Sequence, residues 1–105
     1  MAMENLALAQ AVERLTAAGY QDDFRAERGG LRALRTGRLH EAELLDIDEV
    51  VRFEGATDPD EEAAVFALNS EMYETKGTYV VSYGTYVDPF DAVMVRRLTD
   101  GWRRT

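Results

Sequence analysis

The one histidine of this 105-residue chain, His40, is followed by Glu41 and Glu43. A carboxylate beside an imidazole raises its basicity, so this is the place where a general base would be sought. Such a base has no obvious nucleophile to activate, because cysteine is absent and the only serines, Ser70 and Ser82, lie far along the chain. The chemistry left to it is action on a bound acyl or phosphorylated metabolite. In that reading His40 is the catalytic base and the guanidinium of Arg35 or Arg52 orients the anionic group. The simpler reading is a surface or helix-capping histidine.

The second concentration of chemistry is acidic. Ten of the twenty carboxylates fall between Glu41 and Glu62. A hard cation needs oxygens converging from a foldable loop, and Asp58 and Asp60, followed by Glu61 and Glu62, offer them. The spacing departs from a calcium loop, since the sixth position counted from Asp58 is Ala63 where a glycine is required. A solvated turn is therefore expected, with no metal and no cofactor.

The third is basic. Arg25, Arg28, Arg32, Arg35 and Arg38 follow one another at steps of three and four. A nucleic-acid surface is not expected of them: the chain carries 20 acids against 12 bases, a formal charge of −8, which repels a polyanion. No aromatic residues are interleaved with the arginines as a base-stacking platform requires. They are expected to pair with the protein's own acids. Tyr73, Tyr79, Tyr83 and Tyr86, with Phe53 and Phe66, concentrate aromatic surface further along. Strand propensity and core filling explain most of it. An uncovered sheet face bearing Tyr83 would alternatively suit a ligand or a second copy of the chain.

The elements that must position these residues are legible from periodicity and punctuation. Leu8, Val12 and Leu15 recur at helical spacing between Asn5 and Ala18, with Asn5 as the expected cap and Gly19 as the left-handed terminator. Gly29-Gly30 separates two runs, Asp22 to Glu27 and Leu31 to Thr36, as in a hairpin. Gly37 to Asp48 lacks a period and reads as a loop holding one helical turn near His40 to Leu45. Glu49 to Glu54 alternates as a half-buried strand, residues 55–62 form a turn, and Ala63 to Asn69 returns. Gly77 to Val87 is rich in Thr, Tyr and Val and predicts the longest strand, with Tyr79, Val81 and Tyr83 on one face. Asp88 and Pro89 open a helix expected to run to about Leu98, with Gly101 beyond its end and Trp102 folded beneath it.

This order predicts a single α+β domain spanning residues 1–105. Its two layers are an antiparallel sheet of about five strands and the N-terminal and C-terminal helices packed together on one face. The chain has no apolar run of about 18 residues and no basic start leading into one, so neither a membrane span nor a secretory leader is expected, and the cytoplasm is the default location.

Three stretches resemble a family of small bacterial proteins about as long as this chain. They are Gly19-Tyr20-Gln21-Asp22-Asp23-Phe24; Asp48 to Gly55 with Thr57-Asp58-Pro59-Asp60; and Lys76-Gly77-Thr78 through Ser82-Tyr83-Gly84-Thr85-Tyr86. Members are often labelled phosphoribosylpyrophosphate synthetase. The resemblance spans almost the whole chain and implies no catalytic residue. The labelled activity is rejected on the residues themselves. The only Thr-Gly, Thr36-Gly37, follows Leu34-Arg35 rather than an acidic pair, and the sole lysine, Lys76, ends no glycine-rich phosphate loop.

The expectation is thus a small binding or regulatory module without catalysis of its own, which associates with a protein partner or with a second copy of itself as a homodimer. The alternatives are the small His40 enzyme described above and an acidic inhibitor that presents the belt from Glu41 to Glu62 to a basic protein.

Overall fold

The computed structural model describes residues 3–53, 62–83 and 87–103. Helix α1 (Met3–Ala17) is followed by strands β1 (Asp22–Glu27), β2 (Gly30–Ala33) and β3 (Leu39–His40). After a short 3-10 turn at Ala42–Leu44 come β4 (Asp46–Phe53), β5 (Glu62–Ser70), β6 (Thr75–Tyr83) and helix α2 (Pro89–Arg103). The six strands form one sheet in the order β3-β2-β1-β6-β5-β4.

Each helix is bounded at one end by its own local chemistry. At the end of α1, Gly19 takes φ +116°; its N–H donates to the carbonyl of Thr16 and that of Tyr20 to the carbonyl of Leu15. This paired motif satisfies two orphan carbonyls and turns Tyr20 back onto the helix. Asn5 lies inside α1 rather than at its cap, because the helix begins at Met3. At α2, the Asp88 carboxylate accepts the Phe90 N–H at 2.8 Å, with Pro89 in the first helical position. The helix continues through Gly101 to Arg103, beyond the expected stop at Leu98.

The Gly29-Gly30 hairpin forms, with Glu27 opposite Gly30 and Gly29 at φ +94° in the turn. The second strand is shorter than expected. Gly37 at φ +78° closes a further turn, and the chain returns as β3, with Leu31 opposite His40. The stretch expected to be a loop therefore contains a strand, and its helical turn is Ala42–Leu44.

Strand β4 also starts earlier than its alternation suggests, at Asp46. The register shifts between Ile47 and Glu49, so Ile47 opposite Leu68 and Val50 opposite Phe66 face the same way although three positions separate them. A bulge of this kind hides a strand from a period-two reading. Asp48, set in the bulge, accepts the Tyr20 hydroxyl at 2.6 Å, which pushes the Tyr20 pKa up to about 12.

The α+β class holds, with helices from both ends of the sequence packed on a sheet. Two expectations are corrected. The sheet is mixed rather than antiparallel: β4, β5 and β6 make the expected antiparallel meander, but β1 joins β6 in parallel. The helices also cover opposite faces rather than one. Leu15, with Leu8 and Val12, packs on Val65 and Ala67, whereas Met94 and Leu98 pack with Ala64, Phe66, Leu68, Tyr79 and Val81. Neighbouring residues of a strand point to opposite sides, so the alternation along β5 assigns one helix to each face. Every position from Ala64 to Leu68 is consequently buried, which is why this run reads as continuously apolar. Among the described residues, no helix is long and apolar enough to cross a membrane.

Candidate functional site

The residues singled out in the sequence do not converge. His40 is buried, at 3% exposure, and works as a packing ring. Phe24 and Tyr73 meet it edge-on, with centroids 5.6 and 5.5 Å away, and the Arg38 guanidinium lies over the Tyr73 ring at 3.9 Å. Burial holds the His40 pKa below its ordinary value, reinforced by the charge of Arg38 and opposed by Asp22. Its Nε2 has no hydrogen-bond partner among the described residues. A base enclosed in this way has no path to a substrate, which removes the geometric support for His40 catalysis.

Arg35 lies in the turn after β2. Its side chain donates to the Gln21 side-chain oxygen at 2.9 Å, and its backbone N–H donates to the buried Asp22 carboxylate, also at 2.9 Å. Arg52 is exposed on β4 at the opposite edge region of the sheet, with β5, β6 and β1 in between, so the two arginines cannot clamp one anion. Tyr83 ends β6 opposite Glu62. Asp58 and Asp60 lie outside the described residues, and among those described no group of His, Cys, Asp and Glu could hold a metal ion.

Of the arginine cluster, Arg25 and Arg32 pair with acids as expected, whereas Arg35 reaches Gln21 and Arg38 lies over Tyr73. Arg32 grips Glu27 with two bonds, at 2.9 and 3.1 Å, and Arg25 pairs with Asp23 at 3.1 Å. Arg97 and Arg14 tie the helices to the acidic segment through Glu43 and Glu49.

A different place has the geometry of a site. The parallel pairing of β1 and β6 consists of Asp22 opposite Gly77 and Asp23 opposite Thr78; past these the strands part. A cleft of about 650 Å³ opens between them. Phe24, Arg25 and Ala26 form its β1 wall, and Thr78, Tyr79 and Val80 its β6 wall. Val12 and Thr16 of α1 flank one side, with Asp88, Phe90 and Asp91 at the start of α2 on the other. Residues of both parities line it, so the cleft lies in the plane of the sheet rather than on one face. It lies alongside the two strands, past their last paired residues, as a concave space with apolar walls and a few convergent polar groups of the kind that binds ligands.

The cleft combines apolar walls with charge. Val80 and Phe90 are partly exposed, at 38% and 43%. The Asp91 carboxylate accepts the Tyr79 hydroxyl at 2.5 Å, which fixes the α2 end of the cleft against β6. Asp23 keeps the Arg25 guanidinium charged, raising its pKa, and the cation in turn offsets the Asp23 carboxylate. The carboxylates of Asp88 and Asp91 leave a negative excess at the α2 end.

Sequence reasoning missed this site. Asp88 was legible as a helix cap and Arg25 as part of a basic run, but their shared cleft depends on β1 lying beside β6, and no local pattern encodes that pairing. Comparison with protein-family models, with curated proteins and with solved structures gives no match.

Proposed function

We propose that this protein is a small binding or regulatory module, without catalysis of its own, that holds its ligand in the cleft between β1 and β6. The observation that carries this reading is the interrupted parallel ladder: two interior strands separate and leave a ligand-sized space lined by two helices. The enclosure of His40 supports a binding role over the metabolite enzyme. The test is a thermal-shift panel of amines, dicarboxylates, nucleotides, ribose phosphates and short peptides, run on the parent protein and on Val80→Trp, which fills the cleft from a partly exposed position. A ligand at about 100 times its Kd adds roughly 2.7 kcal/mol and raises the melting temperature by several degrees. A shift in the parent that is lost in Val80→Trp supports the site. A shift that survives in Val80→Trp, or no shift with any compound, overturns it.

Self-association is a second reading, favoured by the outer rim of β4. Among the described residues this eight-residue strand pairs only with β5, and such a rim is a template for another chain. Light scattering that shows a monomer at high concentration would remove it.

A further inference from the structure

The two long walls of the cleft are strand rims, and this says what kind of ligand fits. An interior strand has its backbone N–H and C=O groups engaged on both sides. Here β1 is paired with β2 along Phe24–Glu27, and β6 with β5 along its whole length. Past Asp23 and Thr78, however, the β1 rim from Phe24 to Glu27 and the β6 rim from Val80 to Tyr83 share no ladder. Resting on the reading of the cleft as a binding site, we infer that it takes an extended peptide segment bearing basic side chains, added as a strand between β1 and β6.

Three observations support this occupant. The first is the backbone itself, since a strand lying in the sheet plane meets hydrogen-bonding groups on both flanks, the mode by which sheets capture peptides. The second is size. The free β1 rim is four residues long, about 13 Å at the rise of a strand, and the cleft volume of about 650 Å³ suits a segment that short. The third is the difference between the two faces. Side chains of an inserted strand alternate, and one set meets Val12 and Val80 on the α1 side, next to Arg25, whose charge Asp23 offsets. The other set turns toward Asp91, held by Tyr79, and toward Asp88 at the mouth of the cleft. An alternation of apolar and basic residues satisfies both sides, and the carboxylates select it over an acidic segment.

The experiment uses the full chain, isotopically labelled for amide spectra, and the blocked tetrapeptide acetyl-Lys-Val-Lys-Val-amide. Two control peptides carry the same sequence with N-methylated central residues, or glutamate in place of lysine. The expected result is a set of shifts concentrated in the amides of Phe24–Glu27 and Val80–Tyr83. Affinity should fall by about tenfold on N-methylation, and by several-fold in Asp88→Asn, which removes the charge while keeping a side chain able to cap α2. Equal binding of the N-methylated or glutamate peptide, or shifts elsewhere on the protein, would overturn the inference. If no peptide binds while another compound still gives a response abolished by Val80→Trp, the strand inference fails and the cleft stands; if nothing binds, both fail.

Discussion

Strand β6 has two seams, and they differ in everything but the strand they share. Along β5 its ladder runs unbroken from Glu62 opposite Tyr83 to Ser70 opposite Thr75, closed by a tight turn in which Glu74 takes φ 51°. Along β1 the ladder stops after Asp22 opposite Gly77 and Asp23 opposite Thr78, residues 55 positions apart in the chain. Closing a short hairpin costs little entropy, and each pair formed brings the next into register; joining distant segments costs more and has to be secured by particular side chains. The long seam holds the meander together, while the short one joins the two halves of the sheet and leaves the cleft.

The comparison is broken most severely at Gly77. A Cβ there would stand 2.6 Å from the Asp22 carbonyl oxygen and 2.8 Å from Phe24 Cε2, so β1 approaches β6 only because residue 77 has no side chain. Gly77→Val should cost more than about 3 kcal/mol in chemical denaturation. A comparable apolar enlargement at an exposed position of the same strand, Ser82→Val, should change stability by less than about 0.5 kcal/mol. If the two variants were equally stable, the short seam would not be the weak joint.

Next in size is Asp22, whose buried carboxylate accepts the backbone N–H groups of Asp23 at 2.8 Å and Arg35 at 2.9 Å. It fastens the turn after β2 to the start of the short seam. Asp22→Ala orphans both donors and should cost about 1–3 kcal/mol, whereas Asp22→Asn retains an accepting oxygen and should cost less. The same denaturation series distinguishes them.

His40 gives a pH-dependent effect. Its folded pKa is depressed below the ordinary 6.5, chiefly by burial, with Arg38 adding to the shift and Asp22 opposing it. Below that value the unfolded chain takes up a proton that the folded chain refuses. Stability is therefore fully present above pH 6.5 and declines as pH falls toward the folded pKa, by no more than about 1.4 kcal/mol per pH unit. His40→Phe, which keeps a ring between Phe24 and Tyr73, should flatten the decline below pH 6.5. An unchanged slope would show that other groups cause it.

The smallest effect is expected at the surface. Arg97 holds Glu43 in a two-pronged ion pair that keeps the Glu43 pKa below the usual carboxylate range, yet the Glu43 side chain is largely exposed. Glu43→Gln should cost less than about 1 kcal/mol, and less still at high salt.

What the sequence determined by itself is local. Gly19 ends α1, Asp88 and Pro89 open α2, Gly29 turns the first hairpin, and the apolar stripe Leu8, Val12 and Leu15 faces the sheet. Each depends on interactions within a few residues, where spacing, caps and turn chemistry act directly. Where a local feature interrupted the pattern, as the bulge at Asp48 does in β4, the reading shortened the strand but kept its type.

The tertiary structure decided what depends on contacts between distant segments. Whether β1 can meet β6 depends on the fit of Gly77 against Asp22 and Phe24. The face each helix covers follows from burial summed over β4, β5 and β6. His40 looked reactive beside two glutamates, and the return of β3 along β2 placed its ring between Phe24 and Tyr73 instead. The cleft belongs to the same class: its walls come from four separate elements, and it exists because a parallel ladder between two of them stops after Asp23 and Thr78.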